Sequence, residues 1–390
     1  MKKNILRYLK HLFLTVLVLL CLGLTILVNI GGSVHYGDQA GMRNLDREGP
    51  YLFYENDSVL NLQYLRGNKD DGFYLEQQSY PIASSIPATC YFPLDGSKFN
   101  FFIQTEFKTP PSIYQDDHPV LAISDIESGY KTFRDFLIQN KVIDKHLNWT
   151  FGAGHLVLVG DFVDRGYSTT QVLWFIYKLE QAAEKEGGMV HYILGNHELK
   201  NMQGKYESAA PKYYGVAAIL EKQPEQLYDS TSFLGRWMAS KNTIEKINGT
   251  LFVHGGIHPE VADSEISIVE INQINRTHYY KAYYPKPGKG INQTLLSNRT
   301  GICWYRGYFK EDLTQVQIDK VLAGFGAEAI VVGHTLQSKV NRRYGGKVIG
   351  IDVKHPKDYH KNWPHKTSEG LLIEGGKYFR VFSNGARKEI

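Results

Sequence analysis

Hydrophobic and polar positions along the chain fall into three regimes. From Leu12 to Ile30 almost every residue is apolar, with Thr, Gly and Asn as the interruptions. The run is 19 residues long, longer than the roughly 7 to 15 of a cleaved signal core and close to the ~20 that cross a bilayer as a helix. Lys2, Lys3, Arg7 and Lys10 precede it without an acid. A positive flank stays in the cytoplasm, so the pattern predicts a signal anchor over residues 1–33 with the rest of the chain on the non-cytoplasmic side. The alternative is a long signal peptide cut near Gly31 to Ser33, which would leave a secreted protein. Cys21 follows Leu20 rather than a small residue, which gives lipid attachment little support.

The second regime, from Gly49 to about Gln115, consists of short aromatic and β-branched runs parted by turn residues: Pro50 to Tyr54, Val59 to Tyr64, Gly72 to Leu75, and Lys98 to Gln104 after Asp95-Gly96. No helical period is present. Residues 34–115 are therefore expected to form a β-rich accessory segment ending near Pro110-Pro111, a packing collar or a spacer from the membrane.

The third regime begins after Pro119. Val120 to Ser124 reads as a buried strand, followed by a turn at Asp125 to Gly129 and a helix with Phe133, Phe136 and Leu137 on one face. The unit recurs. Leu156 to Val159 ends at Gly160-Asp161, and the next helix spaces Val172, Ile176, Leu179 and Ala183 on one face. Val190 to Leu194 leads into Gly195-Asn196-His197-Glu198, Leu251 to Val253 into His254-Gly255-Gly256, and Ile330 to Val332 into Gly333-His334-Thr335. Five apolar strands each run into a polar, Gly-flanked turn. This predicts an α/β body over residues 116–390, in which ligands bind at the carboxyl ends of strands and the five turns converge on one site.

Composition refines this picture. A hydrophobic fraction of 43% with 26 Tyr and 19 Phe excludes a disordered chain. The 390 residues allow one large core plus smaller parts. Net charge is +4, from 44 basic and 40 acidic residues, and four of the basic ones are the N-terminal Lys2, Lys3, Arg7 and Lys10. The remainder balances, so no nucleic-acid footprint is expected. Three cysteines show no CxxC spacing, so any metal must be held by other residues. Cys90 and Cys303 are compatible with a bridge or with two buried thiols. Six Asn-x-Ser/Thr triplets, at Asn56, Asn148, Asn248, Asn275, Asn292 and Asn298, are as expected by chance in a chain rich in Asn and Thr.

The five turns present Asp125, Glu127, Asp161, Asp164, Arg165, Asn196, His197, His254 and His334. A lone Asp after a strand is ordinarily a cap, and a lone His is more often structural than a ligand. Gathered in five strand-end turns with glycines beside most of them, they point instead to oxygen and imidazole ligation of Mn, Fe or Zn, with enough donors for two ions. The stretches Gly160-Asp161-Phe162-Val163-Asp164-Arg165-Gly166, Gly195-Asn196-His197-Glu198, Val253-His254-Gly255-Gly256 and Val332-Gly333-His334-Thr335 resemble the motifs of the calcineurin-like metallophosphoesterases. Through Cys303-Trp304-Tyr305-Arg306-Gly307-Tyr308 the chain is most similar to the Shewanella-like branch of phosphoprotein phosphatases. The resemblance covers about residues 119–381.

That resemblance implies a central β-sandwich flanked by helices and a two-metal phosphomonoesterase. Asp161 would bridge the ions, one completed by Asp125 and Glu127, the other by Asn196, His254 and His334, with a bridging water as nucleophile. His197, held by Asp164, would be the general acid. Arg165 and Arg306 would grip phosphoryl oxygens. The chain departs from the family at one ligand: the usual Asp-x-His is Asp125-Ile126-Glu127 here. An anion in place of an imidazole hardens the site and favours Mn, or else marks an impaired first ion and a phospho-binding protein. Lys354 to Lys366 is a basic and aromatic stretch suited to an acidic or phosphorylated partner, or else a solvated insertion. The expected substrate is a phosphoprotein or small phosphate ester, with nucleotide or dinucleotide-polyphosphate hydrolysis as the alternative.

Overall fold

The structure is a computed structural model that describes residues 2–29, 34–37, 41, 43–285, 287, 290–310, 313–364 and 367–390. Its first element, α1 (Lys2–Asn29), is apolar and exposed along its length. Lys3–Asn29 is the one stretch, among the described residues, long and apolar enough to cross a membrane, a test that a signal sequence also passes. The alternative cleavage region Gly31 to Ser33 lies outside the described residues.

Six strands follow: β1 (Val34–Tyr36), β2 (Tyr51–Tyr54), β3 (Val59–Asn68), β4 (Gly72–Pro81), β5 (Ile86–Phe92) and β6 (Ser97–Ile103). β2, β3 and β4 form an antiparallel sheet, and β5 and β6 a hairpin. β5 is absent from the sequence expectation because Pro87 argues against a strand. It is tolerated because β5 pairs with β6 alone and so has an open edge where a missing N–H costs nothing.

The body adds β7 (Ile113–Tyr114), β8 (Val120–Ile123), α2 (Tyr130–Gln139), β9 (His155–Val159), α3 (Thr169–Lys185), β10 (Met189–Ile193) and α4 (Asn196–Met202). Further strands are β11 (Ile244–Ile247), β12 (Thr250–Val253), β13 (Ala329–Val332), β14 (Asn341–Arg343), β15 (Val348–Gly350), β16 (Lys361–Trp363), β17 (Glu369–Glu374), β18 (Lys377–Phe382) and β19 (Arg387–Glu389). They make two six-stranded sheets, ordered β10-β9-β8-β17-β18-β19 and β14-β15-β13-β12-β11-β7. Alternate residues of each strand serve two cores. Val120, Ala122, Val157 and Val159 of one sheet meet Phe252, Ala329 and Val331 of the other, while Leu121, Ile123, Leu156, Leu158, Ile330 and Val332 face outward to the larger core. Burial on both faces explains why these strands read as unbroken apolar runs.

The accessory strands share that larger core. Phe101 packs on Trp174 of α3 at 5.1 Å and Phe99 on Phe175 at 5.7 Å, and Trp174 Nε1 donates to the Pro50 carbonyl at 2.8 Å. A buried ion pair joins Glu48 to Lys212 at 3.0 Å. The segment is thus a collar docked on α3, and β7, just before the expected boundary at residue 115, is an edge strand of the body sheet. Cys90 and Cys303 are separate buried thiols. Asn275 is also buried, its amide bonded to the Ile271 carbonyl at 2.9 Å, so that triplet is closed to glycosylation.

Candidate active site

The parallel strands β8, β9, β10, β12 and β13 deliver their following turns to one cavity of about 630 Å³. The backbone there is unusual. Asp125, Glu127, Asp161, Asp164, Arg165 and His334 all have positive φ, between 49° and 67°, a left-handed conformation costly for residues with a Cβ and concentrated at functional sites. Glycines remain where a side chain has no room: a Cβ on Gly160 would lie 2.5 Å from His254 Nδ1, and one on Gly195 2.4 Å from Asp161 Oδ1.

Asp161 stands at the centre. Its Oδ1 accepts from the His197 backbone N–H at 2.9 Å, and its Oδ2 lies 3.1 Å from His254 Nε2. His254 spends its Nδ1–H on the Val159 carbonyl at 2.7 Å, which leaves Nε2 facing Asp161 and the Asn196 side-chain oxygen, 3.1 Å away. Asp161, His254 and His334 each offer a ligand atom within 4.8 Å of the others. Asp125 Oδ2 accepts from the His334 backbone N–H at 3.1 Å, tying β8's turn to β13's.

Beside this cluster, His197 Nδ1 donates to Asp164 Oδ2 at 2.6 Å, and Asn201 Nδ2 holds the other Asp164 oxygen at 2.9 Å. Arg165 donates to His197 Nε2 at 2.9 Å and forms an ion pair with Glu127. Arg306 lines the cavity with its guanidinium on the carbonyl and ring of His334.

The charges fit a resident cation. Asp125, Glu127, Asp161 and Asp352 all line the cavity. Burial and then Asp352 push the Asp125 carboxyl well up, and burial and then Glu127 push Asp352 up to about 7. Burial would raise Asp161 as well, but the imidazoles of His254, His197 and His334 hold it below the usual range. Burial works against a charged His254, yet Asp161 and Asp125 raise it to about 10. A nitrogen facing only acceptors, amid four carboxylates, is satisfied by a proton or by metal ions, and the donor set of carboxylate, amide and imidazole suits divalent metal ions.

Eight of the ten residues expected from the sequence line this cavity; Asp164 and His254 are buried behind it, in contact with His197 and Asp161 respectively. Four others were unassigned. Glu198 is buried and accepts from the backbone N–H groups of Asp161, Phe162 and Gly195 and from the Tyr192 hydroxyl, at 2.7 to 3.0 Å, clamping two turns together. Asn201 orients Asp164. Asp352 follows β15 as the other acids follow their strands, so the same strand-then-carboxylate rule would have found it. His355 lies in the basic stretch that opens at Lys354, whose Lys354, Lys357 and His360 also line the cavity. That stretch is pinned rather than loose: Asp358 accepts from the Lys131 and Thr132 backbone N–H groups at 2.7 and 3.1 Å, at the start of α2. His365 and Lys366 lie outside the described residues.

Comparison with known proteins agrees with this geometry. Residues 118–338 match the calcineurin-like phosphoesterase family. The chain is 23% identical over 314 residues to Shewanella-like protein phosphatase 2 of Arabidopsis thaliana, covering 67% of this chain and 76% of that one. It is 27% identical over 229 residues to Shewanella-like protein phosphatase 1 of Plasmodium berghei, covering 56% and 61% respectively. The crystal structure of a cold-active protein-tyrosine phosphatase from a psychrophilic Shewanella species superposes with a TM-score of 0.76 at 30% identity, covering 88% of this chain and 98% of that one.

Proposed function

The chain belongs to the calcineurin-like phosphoesterases, with Shewanella-like protein phosphatases among its relatives, and we propose that it is a membrane-anchored, two-metal phosphatase acting on phosphomonoesters outside the cytoplasm. The observation that carries the proposal is the cluster of Asp161, His254 and His334, whose ligand atoms lie within 4.8 Å of one another, beside an imidazole oriented by a buried carboxylate. Asp161 would be shared by two divalent ions, with Asp125 and Glu127 on one and Asn196, His254 and His334 on the other. Such ions supply Lewis acidity toward phosphoryl oxygens and activate water at neutral pH. The carboxylate of Glu127 makes the first set hard and anionic, which favours Mn.

The chain's own side chains do the rest. Arg165 and Arg306 present planar guanidinium groups to the non-bridging oxygens, Arg165 exchanging Glu127 for the substrate anion. Once Arg165 has turned from His197 Nε2 to the substrate anion, that nitrogen can carry a proton, which it delivers to the leaving oxygen while Asp164 holds Nδ1–H. Lys200, Arg299, Lys354 and Lys357 line the same cavity and attract a polyanionic substrate. Similarity to a protein-tyrosine phosphatase supports a phosphoprotein over a small ester. The four basic residues before the apolar helix support an anchor with the body across the membrane.

The test is hydrolysis by the detergent-solubilised full chain of p-nitrophenyl phosphate, phosphotyrosyl and phosphoseryl peptides, and diadenosine polyphosphates, with and without Mn. Metal-dependent release of phosphate from the monoesters is expected. Turnover confined to the dinucleotides would reassign the substrate class, and no turnover with any divalent ion would leave a phospho-binding protein.

A further inference from the structure

His355 is not among the residues that the family motifs single out, yet it has the form of a metal ligand. Its imidazole is buried, only 6% exposed, and lines the same cavity as Asp125, Glu127 and Asp352. Nε2 lies 2.9 Å from the Ser124 carbonyl, and because a carbonyl only accepts, Nε2 carries the proton. Nδ1 is then a bare lone pair, and it makes no hydrogen bond among the described residues. Burial pushes the ring's pKa down to about 4, so it stays neutral at physiological pH. Metal-bound histidines characteristically donate the second ring N–H to a backbone carbonyl or carboxylate, which fixes tautomer and orientation. Here the carbonyl belongs to the residue immediately before Asp125.

The backbone that follows the ring is also fixed. Thr132 Oγ1 donates to the Pro356 carbonyl at 3.0 Å and to Asp358 at 2.9 Å, fastening the two residues on either side of Lys357 to the first turn of α2.

Position 127, where the resembling family carries an imidazole, holds a carboxylate here, and that carboxylate is paired with Arg165. The first ion would therefore lack a neutral donor. We propose that His355 Nδ1 supplies it, so that Asp125, Asp161, Glu127 and His355 together hold the first ion, the imidazole having moved from the Asp125 turn to the stretch after β15. The inference rests on the two-metal reading above and deepens it.

Metal content tests it without reference to turnover. The full chain, stripped with chelator and titrated with Mn, should bind two ions. His355→Gln keeps a donor for the Ser124 carbonyl and exchanges the imidazole nitrogen for an amide oxygen, a weaker neutral donor. It should bind one ion unchanged and the other at least tenfold more weakly, with the apo melting temperature retained. Glu127→His added to His355→Gln should restore the second ion. Two ions bound by His355→Gln within threefold of the parent affinities would overturn the proposal, as would equal weakening of both. If His355→Gln does not fold, anomalous scattering from Mn-soaked crystals of the unaltered chain decides: an ion within ~2.0 to 2.3 Å of His355 Nδ1 is expected, and an ion at Asp125 without that contact overturns it. No ion at all would overturn the two-metal reading itself, which separates the two failures.

Discussion

Replacing Asp164 by Asn isolates the general acid from the rest of the site. Both carboxylate oxygens are committed, one to His197 Nδ1–H at 2.6 Å and the other to Asn201 Nδ2 at 2.9 Å, in a pocket where Asp164 is only 2% exposed. An amide there must aim its NH₂ at one of two donors. Either Asn201 loses its partner or His197 must shift its proton from Nδ1, and in both cases the imidazolium loses its counter-charge. A hydrogen bond to a charged group contributes about 1.5–3 kcal/mol. At 1.36 kcal/mol per tenfold this is about a 10- to 150-fold loss of kcat, whose upper end meets the lower end of the ~10²–10⁴ that general acid–base catalysis supplies. The loss should depend on the leaving group. Phenyl phosphate and phosphoseryl peptides need protonation of the departing oxygen and should slow by about 10²-fold, whereas p-nitrophenolate leaves as an anion and should slow by less than about fivefold. Equal losses on both substrates, with the melting temperature and metal content retained, would refute the assignment of His197 as acid.

Glu198→Gln sets an NH₂ against at least one of the four donors that the carboxylate now accepts from, and should destabilise the chain by about 1–3 kcal/mol in denaturant titration, with turnover falling because the Asp161 turn is no longer fixed. Lys212→Met leaves Glu48 buried without its cation and should cost about 3–5 kcal/mol, most of it recovered in Glu48→Gln with Lys212→Met; no cost for the single variant would show that the collar does not dock as described. Burial opposes ionisation of Asp95, but hydrogen bonds from Ser97 and Arg134 outweigh it and hold its pKa down. A lowered folded pKa gives stability that is present above the unfolded value of about 3.9 and lost as pH falls through the folded one. Asp95→Asn should therefore show a shallower loss of melting temperature on acidification below about pH 4 than the parent.

The strand-end turns were legible because each strand is buried on both faces and each turn carries a glycine where the backbone passes close to a ligand, as at Gly160 and Gly195. Asp352 escaped notice because β15 is three residues long and follows Gly345-Gly346, which obscures the apolar run. His355 was visible only as one basic residue among several, since its role depends on which ring nitrogen meets the Ser124 carbonyl, a tertiary fact. Glu198 stood inside a recognised motif, yet its four donors come from two separate turns and from Tyr192. The strands of the accessory segment are legible, but the choice between packing collar and spacer is not, because Glu48 and Lys212 are far apart in sequence and nothing local announces their pairing. β5 is hard to see in the sequence because Pro87 argues against a strand, and only the assembled hairpin shows that β5 has an open edge.

The claim that two divalent ions make this cavity a phosphatase is tested most directly by titrating the chelator-stripped full chain with Mn while following release of phosphate from a phosphotyrosyl peptide. The account predicts no turnover without metal and activity that rises to a plateau as the second ion per chain binds. Turnover by metal-free protein, or a plateau reached without any bound ion, would contradict it.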